Sequence, residues 1–214
     1  MGRLQIIVCF FFVLVCLPGS ARAERVVLFL GDSLTAGQGV QAAEAYPQLL
    51  GALLARDGMV DVRIVNGSIS GSTSASAPAR LQWYRGKIRP SVLFLALGAN
   101  DGLRGLTIEE MDKNLASVIA AAQAQGMTVI LAGMELPPNY GDDFTAAFRQ
   151  VYRELAARFR VELIPFLLEG VGGVAALNQA DGIHPNAEGH RLIARHVYPV
   201  LKRHLLETNA TGKE

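Results

Sequence analysis

Four short polar segments carry the residue types that acyl transfer requires. Gly31-Asp32-Ser33-Leu34 offers a hydroxyl. Asp181-Gly182-Ile183-His184-Pro185 offers an imidazole and, three residues before it, a carboxylate. Gly98-Ala99-Asn100-Asp101 supplies a side-chain amide, and Asn66-Gly67-Ser68-Ile69-Ser70-Gly71 ends in a glycine N–H. A serine hydroxyl is a poor nucleophile until a base takes its proton. His184 is the natural base, because imidazole is the side chain suited to taking and returning a proton near neutral pH. Asp181 can accept the other ring N–H and so set the tautomer. Gly71 has no Cβ to hold a substrate away from its N–H. With the Asn100 amide and the Ser33 N–H it can form an oxyanion hole, in which one donor is worth roughly 2.7–4 kcal/mol in the transition state.

Each piece also has a plainer reading. A serine after a strand serves turn chemistry, and Asn100-Asp101 alone is a loop with turn-forming side chains. Asp181 can help to start the last helix. Asp32 is expected to be a structural hydrogen-bond acceptor whose carboxylate points away from Ser33. His190, His196 and His204 lie on the final helix without the i,i+4 spacing of a metal pair. His196, beside Leu192, Ile193 and Val200, is expected to be a partly buried packing residue.

The elements that must position these groups are visible as hydrophobic patterning. Aliphatic runs at Val26–Leu30, Val60–Val65, Val92–Leu97, Thr128–Ala132 and Val161–Ile164 predict five strands. Helical spacing predicts helices at Ala43–Ala55, Ala79–Tyr84, Thr107 to Gln125, Phe144–Phe159 and Asn186–Leu206. Thr107 with Glu110 is a candidate capping box, and Pro199 is expected to bend the last helix. Strands apolar on both faces that alternate with helices predict an α/β fold of three layers, α/β/α, around a parallel sheet. In such a sheet the segments that follow strands gather at one edge, where open α/β sheets bind ligands. The four polar segments all follow strands.

Of 214 residues, half are apolar and 18% are charged, with a formal net charge of +1. That balance excludes a disordered chain and disfavours a nucleic-acid binder, which needs a basic face. Residues 1–23 have the pattern of a cleavable signal peptide: Arg3, an apolar run from Ile6 to Leu17, then Ala21-Arg22-Ala23. The run is about 18 Å long as a helix, short of the roughly 30 Å hydrocarbon core. Cleavage after Ala23 predicts a periplasmic or secreted protein, with residues 24–214 as one domain and no stable membrane span. Cys9 and Cys16 both leave with the signal, so the remaining chain has no thiol and no disulfide. Gly170-Val171-Gly172-Gly173-Val174-Ala175 matches G-x-G-x-x-A but lacks a strand immediately before it. It is expected to be a pocket wall rather than a nucleotide site. H-E-x-x-H, a P-loop and the G-x-S-x-G elbow are all absent.

Taken together, the blocks around Ser33, Gly71, Asn100 and His184 resemble the GDSL, or SGNH, hydrolase superfamily. Asn66 to Gly71, Asn100 to Gly105 and Leu136-Pro137-Pro138-Asn139-Tyr140-Gly141 are similar to its branch of periplasmic acyl-CoA thioesterase I, lysophospholipase L1 and arylesterase proteins. Ala99 stands where Gly is frequent in that branch. The resemblance implies a flavodoxin-like sheet of five parallel strands. It implies Ser33 as nucleophile, His184 as base, Asp181 as its partner, and an oxyanion hole from Ser33, Gly71 and Asn100. It further implies hydrolysis of esters and thioesters through an acyl-enzyme, without metal or organic cofactor. The expected partner is a small-molecule acyl ester or thioester, lipids included, and the expected state of the protein is a monomer.

An acyl chain is expected over the loops after strands three and four, against Leu103, Leu106, Pro138 and Tyr140. Each buried CH₂ there is worth about 0.8 kcal/mol. Two other readings stay open at this stage. One is a carbohydrate or peptidoglycan O-deacetylase with the same machinery and a small dead-end pocket. The other is an exported binding module with an inactive site.

Overall fold

The computed structural model describes residues 24–211, so the expected signal segment lies outside the described residues. The five aliphatic runs form β1 (Arg25–Gly31), β2 (Val62–Asn66), β3 (Pro90–Ala96), β4 (Thr128–Ala132) and β5 (Glu162–Ile164). They make one parallel sheet in the order β2-β1-β3-β4-β5. This is the doubly wound order whose switch point falls between β1 and β3. All seven residues of β1 are buried, as an aliphatic run in a sheet covered on both faces should be.

Four long helices provide most of the cover: α2 (Tyr46–Arg56), α5 (Ile108–Gln123), α6 (Asp142–Phe159) and α7 (Ala187–Thr211). A shorter one, α3 (Ala77–Arg85), completes the layers. Helix α7 buries Ile193, Val197, Leu201 and Leu205, the i,i+4 stripe that faces the core, and continues through Pro199. Inside the sheet, Phe29 and Phe94 stack at 4.7 Å, and Tyr46 meets both rings edge-on.

Two further helices were not expected from periodicity: α1 (Ser33–Ala36) and α4 (Ala99–Leu103). Each is about one turn long, too short to show a 3.6-residue repeat. Both start at the ends of the central strands, where the register aligns Gly31 with Ala96 and Phe29 with Asn66. Strand β2 begins at Val62 rather than Val60, which is 81% exposed in the preceding turn. The expected box at Thr107 is half formed. Thr107 Oγ1 accepts from the Glu110 N–H at 3.4 Å, while the Glu110 carboxylate takes Lys113 Nζ at 2.8 Å.

Candidate active site

Ser33 is the first residue of α1, directly beyond the buried end of β1. Asp32 caps this turn. Its carboxylate accepts the Leu34 N–H at 3.0 Å, and Gly37, at φ 82°, closes the turn. Asp32 therefore acts as the structural acceptor expected of it. Burial raises its pKa to about 6, against the lowering effects of the Leu34 N–H, His184 and Arg80.

His184 and Asp181 stand on the loop between β5 and α7. Asp181 Oδ1 accepts the Ile183 and His184 N–H groups at 2.9 and 3.0 Å, and its Oδ2 lies 2.7 Å from His184 Nδ1. Those two backbone N–H groups and the imidazole hold the Asp181 carboxyl down at about 2, so it is a carboxylate at neutral pH. The ring then presents Nε2 to Ser33 Oγ at 2.9 Å. The three expected groups are thus in one hydrogen-bonded line. With Asp181 accepting from Nδ1–H, Nε2 is left unprotonated and able to take the serine proton.

Gln179 escaped sequence reading. Its Nε2 donates to Gln38 O at 2.7 Å and to Pro185 O at 3.0 Å. The Gln38 N–H in turn donates to Ser33 O. One half-buried amide thus ties the serine turn to the histidine loop. A polar residue in a loop carries no sequence signal for such a role.

The expected oxyanion donors come from the loops after β2 and β3. Gly71 has φ 76°, a left-handed conformation in which a side chain is strained. Asn100 Nδ2 donates one hydrogen to Ser72 O at 3.0 Å and keeps a second. Arg104 Nη2 donates to Gly71 O at 3.0 Å. Asp101, whose plainer reading is a turn-forming loop side chain, lies in α4, is buried and accepts both the N–H and the hydroxyl of Ser74. Arg80 spans the ends of β1 and β2, donating to Gly31 O at 3.1 Å and to Gly67 O.

Beside Ser33 and Asn100 opens a cavity of about 610 Å³, bounded by Leu34 and Ala99 near the serine. Its walls are mainly apolar. Leu103, Pro138 and Tyr140 line it as expected, joined by Leu136, Phe166 and Ile183. Tyr140 Oη donates to Leu103 O at 3.1 Å and joins two of these walls. Leu106 is not among the lining residues. It is 42% exposed, because the chain turns outward at Gly105 before α5 begins. Gly172 and Gly173, from the glycine-rich segment, form part of the wall.

The remaining histidines play other parts. His190 is buried, accepts the Tyr46 N–H at Nδ1 and stacks on the Tyr46 ring. His196 is half-buried with Nε2 at 3.1 Å from Phe166 O, and His204 lies against Glu162. Among the described residues no group of three or more His, Cys, Asp or Glu side chains could hold a metal ion. Nor is any helix among them long and apolar enough to cross a membrane.

The profile of the GDSL-like Lipase/Acylhydrolase family matches residues 29–192. The chain belongs to this family. Its resemblance at four separated blocks is therefore carried by descent over most of the chain. Within the GDSL-like lipases and acylhydrolases the chain is similar to Esterase TesA of Pseudomonas aeruginosa, at 43% identity over 84% of this chain and 89% of that one. It is 37% identical to Arylesterase of Vibrio mimicus, over 96% of this chain and all of the relative. It is 38% identical to Thioesterase 1/protease 1/lysophospholipase L1 of Escherichia coli, over 86% of each chain. A crystal structure of TesA superposes with a TM-score of 0.81, at 43% identity, covering 84% of this chain and 99% of that one. The five-stranded parallel α/β architecture of this GDSL-like acylhydrolase is thus shared with a solved relative.

Proposed function

We propose that this protein hydrolyses carboxylic esters and thioesters through an acyl-enzyme on Ser33. The observation that carries the reading is the line Asp181–His184–Ser33, with separations of 2.7 and 2.9 Å, beside an apolar cavity of about 610 Å³. Ser33 Oγ attacks the acyl carbonyl while its proton passes to His184 Nε2. The carbonyl electrons move onto oxygen, which the Ser33 and Gly71 N–H groups and the free Asn100 N–H stabilise. As the tetrahedral intermediate collapses, the bond to the leaving oxygen or sulfur breaks and His184 returns the proton to that atom. Water then repeats the sequence, releasing the acid and restoring Ser33. Asp181, ionised throughout, keeps the ring in the working tautomer and stabilises the imidazolium.

The relatives' names speak of esterase, arylesterase, thioesterase and lysophospholipase activity, and this chain is assigned the same substrate class: acyl esters and thioesters, lysolipids included. The cavity favours medium and long acyl groups over acetyl, which weighs against an O-deacetylase. Residues 1–23 act as a signal peptide cut after Ala23, so that the enzyme works in the periplasm or outside the cell.

The test is a panel of nitrophenyl esters from acetate to laurate, with fluorophosphonate labelling of wild type and Ser33→Ala. Labelling lost in the variant, with kcat/KM rising along the panel, is expected. Undiminished labelling of Ser33→Ala, or hydrolysis confined to acetate, overturns the reading.

A further inference from the structure

Resting on that reading, we infer that Asp101 is a positioning residue that sets the oxyanion hole by clamping the Gly71–Ser74 segment onto α4. The two donors expected in the hole, Gly71 in the loop after β2 and Asn100 in α4 after β3, belong to different segments that follow different strands. A hole of useful geometry needs both fixed relative to one carbonyl oxygen, and donor positions matter to a fraction of an ångström. Covalent connectivity does not provide this, since 28 residues separate Ser72 from Asn100.

Side chains of α4 and its end provide it instead. Asn100 Nδ2 donates to Ser72 O at 3.0 Å, and Arg104 Nη2 donates to Gly71 O at 3.0 Å. The Asp101 carboxylate accepts the Ser74 N–H at 2.8 Å and the Ser74 hydroxyl at 2.5 Å. Of these rungs, the Asp101 one is buried: Asp101 is 3% exposed and Ser74 is fully buried. A charge-assisted pair of hydrogen bonds out of water is about twice as strong as its neutral counterpart. The Ser74 hydroxyl also accepts from Asn114 Nδ2 at 3.1 Å, which ties the clamp to α5. The exposed Arg104 rung is open to water and weaker. Asp101 touches neither Ser33 nor His184 in any hydrogen bond, so its action is through Gly71 and Asn100.

The experiment compares Asp101→Asn and Ser74→Ala with wild type on one nitrophenyl ester, together with the affinity of a boronic-acid transition-state analogue. Asp101→Asn keeps one acceptor for the Ser74 N–H and loses the charge. The expected result is a fall in kcat of about 10- to 100-fold with KM within about threefold, and analogue affinity falling in step with kcat. Ser74→Ala, which keeps the N–H bond, should lose less. Backbone amide exchange across residues 71–76 should rise in Asp101→Asn, an outcome read independently of activity. A folded Asp101→Asn enzyme with wild-type kcat, or one whose KM rises by as much as its analogue affinity falls, overturns the clamp and leaves the hydrolase reading standing. A wild-type protein inactive on every ester overturns that reading instead, and the amide exchange then decides whether the clamp itself exists.

Discussion

Ser33 and His184 are 151 residues apart in the chain, and Nε2 of the histidine lies 2.9 Å from Oγ of the serine. The relationship is set by the sheet. β1 delivers Ser33 at its carboxyl end, and β5, the third strand beyond the switch point, delivers the loop that carries Asp181 and His184 to the same edge. Gln179 closes the gap by bonding Gln38 O and Pro185 O at once.

Breaking this line should separate the roles of its members. Ser33→Ala and His184→Gln are each expected to lower kcat by more than about 10³-fold, and Asp181→Asn by up to about 10⁴-fold through the wrong tautomer. Far-ultraviolet circular dichroism should stay unchanged. Steady-state kinetics on a nitrophenyl butyrate provides the check, and an Asp181→Asn enzyme at full rate would contradict the assigned part of that carboxylate.

Gln179→Ala tests the bridge. The amide is in contact with solvent, so the melting temperature should move little. The loss of two hydrogen bonds joining the serine turn to the histidine loop should lower kcat by about tenfold by widening the range of Ser33–His184 separations. Unaltered kcat together with unaltered stability would remove Gln179 from the account.

The cavity gives a prediction about chain length. Leu103→Trp should fill space near Tyr140 and reduce kcat/KM for laurate by about 10- to 100-fold, as three or so CH₂ groups lose their contacts at about 0.8 kcal/mol each. Acetate turnover should change by no more than about threefold. Leu106→Trp, outside the cavity, should leave the preference alone. Parallel changes across the whole panel in Leu103→Trp would place the acyl chain elsewhere.

Two buried groups make opposite contributions to stability at mildly acid pH. Burial lowers the pKa of His190 from 6.5 to about 4, so the unfolded chain binds its proton first. His190 therefore makes stability rise with pH between about 4 and 6.5, by up to about 1.4 kcal/mol per pH unit. Asp32, raised from 3.8 to about 6, holds its proton more tightly when folded. Its contribution is present below about 3.8 and is lost as pH rises to 6. The wild type should consequently show a shallow pH dependence between 4 and 6. Asp32→Asn should steepen it, stability rising with pH, and His190→Gln should reverse it. Urea unfolding at half-unit pH intervals measures both slopes. A flat profile for both variants would contradict the two assignments.

Much of the protein was legible in its sequence, for reasons that are local. Strands buried on both faces must be continuous aliphatic runs, and those runs announce β1, β3 and β4 to within a residue or two. The chemistry-bearing blocks are short, and their residue types alone name Ser33, Gly71, Asn100, Asp181 and His184 as candidates. What local pattern cannot carry is the meeting of distant segments. The one-turn helices α1 and α4, the outward turn of Leu106, the Gln179 bridge and the burial of Asp101 against Ser74 depend on strand order and register. Hydrogen bonds between loops are decided by tenths of an ångström, and only the packed sheet sets separations that fine.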